Sequence, residues 1–232
     1  MEKTIATNFY ESYNQQYPDK SFDYYVSANL IMKKITINKK MATLLFYLTL
    51  LFSVQFSFGQ TTTWKDDPMH TKLTFTVTHK GFSSVSGLFQ KFEATIVSSK
   101  PDFSDAVFTL SVDVSSINTE VKMRDDDLRS HNYFEVAKFP AMTFKSTSIT
   151  NTTGMKDRFK ITGELTIHGV TKTVSMDVWF RGTQYDAMNK KDKAGFQLTG
   201  IINRTDFNVG PPDPFDISTE IMIKADGEFV KQ

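Results

Sequence analysis

The four histidines are the residues of this 232-residue chain with the widest chemical use, because an imidazole can bind a metal or transfer a proton near neutral pH. No pair of them has H-x-x-x-H spacing, and the chain has no cysteine to complete a zinc site. The sequence also lacks the G-x-S-x-G, H-E-x-x-H, P-loop and G-x-G-x-x-G motifs. We therefore predict a protein that is not an enzyme and that holds no metal or cofactor.

An acidic triplet, Asp125, Asp126 and Asp127, is the next candidate for chemistry. Its three consecutive carboxylates lack the D-x-D-x-D-G spacing of a calcium loop. We interpret the triplet as the solvated face of a helix, in which Asp125 pairs with Arg124 or Arg129.

His79 ends a run in which Leu73, Phe75 and Val77 share one face of an extended strand, so we expect its ring to face the interior. Three interpretations stay open for it. The ring is a satisfied core histidine, a polar contact for a ligand head group, or a metal ligand.

Arg204 ends a second such run, after Phe196, Leu198 and Ile202. A buried arginine needs an anionic or carbonyl partner. In a structural interpretation that partner is Asp206 or Asp67, and in a functional one it is a ligand phosphate or a quinone-type carbonyl.

The elements that must position these residues are strands. In the run from Ile161 to Val174, apolar residues alternate with polar ones until a Gly169 turn reverses the chain, which predicts a hairpin with one apolar face. About eight such runs, joined mostly by short turns, favour an all-β, antiparallel up-and-down barrel over a sandwich. They span residues 73–79, 92–96, 106–114, 142–149, 159–167, 170–181, 195–204 and 217–229.

One segment, from Val121 to Lys138, lacks this alternation and has helical spacing instead. We expect one or two short helices that cap an end of the barrel. Leu128, Tyr133 and Phe134 would then point inward as a lid.

The N-terminus predicts export. Basic residues precede an uncharged apolar run from Met41 to Phe58, and small residues follow it, as in a signal peptide. We assign residues 32–59 to the signal peptide, with cleavage after Gly59, and expect a periplasmic or secreted protein. The alternative is an uncleaved membrane anchor. Residues 1–31 are interpreted as a non-native or disordered leader.

The remaining residues, 60–232, have the length of a single domain. Six of the 27 Lys and Arg residues and four of the 26 Asp and Glu residues precede residue 60, so the domain has a net charge near −1. A nucleic-acid-binding protein would show a basic excess, so nucleic acid is not an expected partner.

Several motifs stand in a fixed order along the chain: F-T-V-T-H at 75–79, R-D-x-x-L at 124–128, Y-F at 133–134 and N-R-T-D-F at 203–207. This ordered set resembles the YceI-like family of polyisoprenoid-binding proteins, which are exported bacterial proteins with a lipocalin-like barrel. The resemblance covers roughly Thr63 to Val230. Two positions depart from the family pattern, Asp127 in place of a histidine and Asn208 in place of a glycine.

The resemblance implies an eight-stranded, lipocalin-like barrel whose apolar interior binds a polyisoprenoid or isoprenoid-quinone-type lipid, as a carrier or storage protein. The alternative is an exported β-barrel domain with a structural or protein-partner role, and an exposed strand edge could pair two copies into a homodimer. For each inward residue, ordinary core packing competes with ligand contact. The predicted ligand-binding residues are Phe75, Val77, His79, Phe92, Phe108, Leu110, Phe134, Phe144, Phe159, Ile161, Leu165, Phe196 and Arg204.

Overall fold

The computed structural model describes residues 60–213 and 216–232, together with Ser12, Gln15 and Gln16. The predicted leader over 1–31 and the predicted signal peptide over 32–59 therefore lie outside the described residues, apart from those three positions. Within the described ranges, no helix is both long enough and apolar enough to cross a membrane.

Eleven antiparallel strands make up most of residues 60–213 and 216–232. They are β1 Thr62–Asp66, β2 Lys72–His79, β3 Ser83–Phe89, β4 Phe92–Ser98, β5 Val107–Asp113, β6 Ile117–Asn118, β7 Ala141–Asn151, β8 Arg158–Ile167, β9 Val170–Asp186, β10 Lys191–Asn203 and β11 Glu220–Lys231.

The sheet closes on itself through β11. Along its length β11 pairs with β10 on one side. On its other side, Phe229–Lys231 pairs with β1, and Met222–Asp226 pairs with β2. Because β1 also pairs with β4, the ring β1-β4-β5-β7-β8-β9-β10-β11 is a closed barrel of eight strands. The predicted antiparallel, eight-stranded, lipocalin-like barrel is confirmed.

Each of the eight predicted runs contains a strand, but the eight strands of the ring are not the same eight. The prediction missed β1, β3 and β6. β1 belongs to the ring, whereas β2 extends it at one end together with β3 and β6. Of the five residues of β1, only Trp64 is buried and strongly apolar, so its alternation is too short to recognise.

One α-helix, α1 Lys122–Arg129, forms in the segment where one or two were predicted. The chain then leaves the helix at Ser130 and turns back, with the Phe134 amide donating to the Leu128 carbonyl. Two 3₁₀ turns, Val114–Ser116 and Arg204–Phe207, follow the ends of β5 and β10.

One end of the barrel is packed solid with aromatic rings. Phe103, from the loop between β4 and β5, lies 4.8 Å from the ring of Phe180, 5.0 Å from Phe196 and 5.4 Å from Trp64. It is 2 % exposed and takes a positive φ of 57°, which a phenylalanine rarely adopts. The loop therefore folds back to close this end, which we call the filled end.

A carboxylate holds that loop in place. Asp105 accepts hydrogen bonds from the Ser98 hydroxyl at 2.5 Å, from the Ser99 hydroxyl, and from the backbone amides of Ser99 and Lys100. Partial burial acts to raise the pKa of Asp105, but these hydrogen bonds lower it to about 2. The filled end thus depends on a local network as well as on apolar packing.

Candidate functional site

The other end of the barrel contains a cavity of about 740 Å³. Each of the strands β7 to β10 contributes to its wall with one half only. In β8, Leu165 and Ile167 line the cavity but Phe159 and Ile161 do not. In β9, Met176 lines it but Phe180 does not. Since neighbouring strands are antiparallel, these halves meet at the same end, which we call the hollow end.

The floor of the cavity is the aromatic layer that separates it from the filled end. Phe108 and Phe229 both line the cavity, and each ring centroid lies 5.7 Å from that of Phe196, which does not. Nearer the hollow end, Phe75 contacts Phe89 at 5.7 Å, and Phe89 meets Phe134 edge-on at 6.3 Å. The inner surface is therefore mainly aliphatic and aromatic, as is typical of sites for apolar ligands.

α1 and its flanks lie at the mouth of the cavity. Val121 and Met123 line the cavity and are also 46 % and 81 % exposed, so the wall reaches solvent here. Leu128, Tyr133 and Phe134 line it as well and are partly buried, so this segment covers the hollow end without filling it.

The structure brings nine of the thirteen predicted ligand-binding residues together in the cavity wall. They are Phe75, Val77, His79, Phe108, Leu110, Phe134, Phe144, Leu165 and Arg204. Contact of these residues with a ligand stays a prediction.

The remaining four predicted residues lie outside the cavity wall. Phe159, Ile161 and Phe196 are 5 %, 0 % and 1 % exposed and belong to the packed core of the barrel. Phe92, at the start of β4, is partly buried and packs against that core. Alternation placed all four on the inward face, but it carries no signal for which stretch of that face borders a void.

His79 does not lie in the core. It ends β2 as an exposed residue at the rim of the cavity, where its backbone forms an isolated bridge with Ile217. The interpretation as a satisfied core histidine is therefore wrong. The inward-facing alternation of β2 predicted that His79 would be buried, but the partly buried stretch of the strand ends at Val77.

Arg204 is 6 % exposed, and its partners are carbonyl oxygens rather than Asp206 or Asp67. Nε donates to the Ser218 carbonyl at 3.1 Å, and Nη1 and Nη2 donate to four further carbonyls at 2.5–3.3 Å. Those four belong to Val209, Pro211, Asp213 and Ile217. Burial lowers the pKa of Arg204.

A guanidinium carries five N–H groups, and these five carbonyls match them in number. Arg204 therefore has no N–H left for a ligand head group. Arg204 holds together the loop that follows β10. It still lines the cavity, but it offers no free hydrogen-bond donor there.

The acidic triplet is split between interior and surface. Asp125 is 7 % exposed and accepts hydrogen bonds from the Thr119 amide at 2.8 Å and the Thr119 hydroxyl at 2.5 Å. Our expectation that it pairs with Arg124 or Arg129 is wrong. Asp126 forms the solvent-exposed ion pairs instead, with Lys122 and Arg129.

Tyr133 adds a phenol to the wall of the cavity. Burial raises its pKa, and the nearby carboxylate of Asp127 acts in the same direction, so the hydroxyl stays protonated at neutral pH. Its ring packs on Gly210, where an added Cβ would lie 2.6 Å from the ring and φ is 72°. The glycine thus allows the loop to approach the tyrosine.

Several wall residues were absent from the predicted site. β11 supplies Ile221, Ile223 and Ala225. Their alternation predicts the strand but does not mark these three residues as part of a cavity wall. Phe207 and Val209 also line the cavity. They lie in and after a 3₁₀ turn, whose period matches neither strand nor α-helix, so the sequence carried no comparable signal for them.

Asp67, His70 and Glu228 form a group whose ligand atoms are close enough to hold a metal. The Lys193 ammonium lies 3.2 Å from Asp67 and 3.0 Å from Glu228. It already forms ion pairs with both carboxylates, and the His70 Nδ1 is hydrogen-bonded to Asp67 at 2.9 Å. That hydrogen bond is the main reason that the pKa of Asp67 is lowered. The group is an ion-pair network outside the cavity wall.

Comparisons with known proteins agree with this architecture. A sequence model of the YceI-like domain matches residues 64–229. The chain is 30 % identical over 197 residues to Protein YceI of Salmonella arizonae, covering 84 % of this chain and 98 % of that protein. The crystal structure of BcnA from Burkholderia cenocepacia superposes with a TM-score of 0.62 at 25 % identity, covering 71 % of this chain and 98 % of BcnA.

A more distant structure shares the fold. A polyisoprenoid binding domain from Saccharophagus degradans, implicated in plant cell wall breakdown, superposes with a TM-score of 0.54 at 15 % identity. The match covers 73 % of this chain and 98 % of that domain. The domain match over 64–229 and the YceI relative together decide the classification: this chain belongs to the YceI-like family.

Proposed function

We propose that this protein binds one isoprenoid lipid, a polyisoprenoid or an isoprenoid quinone, in the cavity of the hollow end. The observation that carries the proposal is the void itself, about 740 Å³ of mainly apolar space above the Phe108 and Phe229 floor. Volumes of roughly 300–1,000 Å³ are typical of small-molecule sites. An eight-stranded barrel is also about the smallest that can hold one slender ligand.

The physical driving force is removal of hydrocarbon from water. Each Å² of apolar surface buried contributes about 25 cal/mol, and an isoprenoid tail is hydrocarbon along nearly its whole length. Side chains at the floor, such as Phe108 and Phe229, are already placed to contact it, so little reorganisation is needed on binding.

The ligand class draws support from the family resemblance and from the polyisoprenoid binding domain that shares the fold. The predicted signal peptide over 32–59 supports a location outside the cytoplasm, where a free polyisoprenoid is insoluble. The proposal is thus an exported carrier or storage protein, and binding rather than catalysis.

Titration of delipidated protein with geranylgeraniol tests the proposal. Ala225→Phe places a ring in the cavity from β11 and should weaken binding at least tenfold. Ile201→Phe is the matched control, because Ile201 on the adjacent β10 is 61 % exposed and absent from the cavity wall. It should bind as the parent does.

Two outcomes would contradict the proposal. One is that the parent protein binds no isoprenoid alcohol, and the other is that both variants bind equally well. Native mass spectrometry of the protein purified from its own host gives a second readout, in which an apolar ligand of several hundred daltons is expected.

A further inference from the structure

Two arginines line the cavity, and their surroundings differ. All five N–H groups of Arg204 are matched by carbonyl oxygens. Arg124, on α1, donates only twice: Nε to the Thr119 hydroxyl at 2.8 Å and Nη2 to the Thr119 carbonyl at 2.7 Å. Nη1 of Arg124 has no hydrogen-bond partner among the residues that the structure describes.

In the part of the chain that the structure describes, Arg124 is also without a counter-ion. In residues 60–213 and 216–232 no carboxylate forms an ion pair with it, although Asp125 is its neighbour in sequence. Asp125 instead accepts from the amide and hydroxyl of Thr119. Thr119 thus forms hydrogen bonds with both side chains, and those to Arg124 hold the guanidinium in one orientation.

The remaining charge in the wall does not cancel that of Arg124. Among the described lining residues, Asp127 is the one acid, and it is exposed. Its carboxylate accepts from the side-chain Nδ2 of Asn132 at 2.8 Å and from the Ser130 hydroxyl at 3.4 Å. Solvent screens this charge, whereas Arg124 is partly buried.

We propose that Arg124 is the head-group site of the cavity and that it selects lipids with an anionic head, a phosphate or a carboxylate. The inference rests on the proposed function. The Nη1 and Nη2 groups donate to two oxygens of the head group at the mouth, while the tail occupies the apolar interior. Guanidinium groups suit this role, because their planar fork matches the oxygens of a phosphate or carboxylate.

The test compares geranylgeranyl phosphate with geranylgeraniol, which share a tail and differ in the head group. We expect the parent protein to bind the phosphate about tenfold more tightly than the alcohol, the size of one charge-assisted contact. Arg124→Gln should remove this preference and leave the affinity for the alcohol within about twofold.

Arg129→Gln is the matched control. Arg129 lies on the same helix but outside the cavity wall, where it donates to the carbonyls of Ser115 and Ile117. This variant should keep the preference for the phosphate. Inorganic phosphate, added in large excess, separates a lipid site from a bare anion site. It should not displace geranylgeranyl phosphate, because most of the affinity comes from the tail.

The two proposals fail in different ways. If the parent binds both lipids equally, or if Arg124→Gln keeps the preference, the head-group site is overturned while the lipid-binding function stands. If the parent binds neither lipid, the function itself is overturned. Should Arg124→Gln fail to fold by circular dichroism, Arg124→Lys replaces it. Arg124→Lys keeps the positive charge but loses the planar pair of N–H donors. If this variant prefers geranylgeranyl phosphate over geranylgeraniol as strongly as the parent does, the proposal is contradicted.

Discussion

The filled end and the hollow end of the barrel are built from the same strands. Along β8 and β10 large apolar residues stand on the inward face in both halves of the strand, yet Ile161 and Phe196 lie in packed core while Leu165 and Leu198 line a cavity. The difference comes from the connections. The β4–β5 loop inserts Phe103 among the rings, whereas α1 lies across the mouth without entering. Strands therefore enclose the interior, and loops decide whether it is occupied.

The largest expected effect is on the stability of the filled end. Phe196→Ala removes a side chain that is 1 % exposed and contacts Phe103, Phe108, Phe180 and Phe229. We expect it to lower the free energy of unfolding by about 4 kcal/mol, since it leaves a cavity in packed core. Urea denaturation followed by tryptophan fluorescence measures the change.

Phe75→Ala is the counterpart in the hollow end. Phe75 is partly buried and already borders a void, so its truncation should cost only about 1 kcal/mol while it weakens lipid binding. Equal losses of stability in the two variants would show that the two ends are packed alike.

The barrel itself was readable from the sequence, because alternation persists over the long strands β5 and β7 to β11. The difference between the ends was not. Phe103 stands in a turn sequence between two strands, and its inward position depends on a left-handed backbone and on the Asp105 network. β6 has two residues and carries no periodic signal, and it is assigned by its pairing with β3.

A second effect concerns the loop that Arg204 holds beside the hollow end. Arg204→Lys replaces five N–H donors with three, so at least two of the carbonyls lose their partner. We expect a loss of about 3 kcal/mol in the free energy of unfolding, from unpaired buried acceptors. The preference for a phosphate head group should not change, and a lost preference would assign head-group binding to Arg204.

The candidate site was predictable in its strands and less so in its polar groups. The F-T-V-T-H run placed Phe75 and Val77 in the wall, where the structure has them. The apparent partners of Arg204 were Asp206 and Asp67, because carboxylates are visible in a sequence. Backbone carbonyls are present at every residue, so no residue type indicated the five that bind it.

A third, smaller effect tests how the filled end is held. Asp105→Asn exchanges a carboxylate that accepts four hydrogen bonds for an amide, and should cost about 2 kcal/mol at neutral pH. The pKa of Asp105 is lowered to about 2, so its contribution is complete above pH 4 and is lost as pH falls towards 2.

The stability difference between the parent and Asp105→Asn should therefore shrink as the pH falls from 4 to 2. Denaturant midpoints measured along this range give the comparison. A difference that stays constant with pH would mean that the charge of Asp105 does not hold the loop.

The smallest expected effect lies at the mouth of the hollow end, at Asp127. Asp127 lines the cavity together with Arg124, and its charge opposes an anionic head group. Asp127→Asn should strengthen binding of geranylgeranyl phosphate about twofold to threefold, because an exposed charge contributes well under 1 kcal/mol. Binding of geranylgeraniol should not change, and the gain in affinity for geranylgeranyl phosphate should fall as the salt concentration rises.

A gain in affinity for both lipids alike would mean that Asp127 acts on the shape of the mouth. No gain for either lipid would mean that the head group does not reach α1.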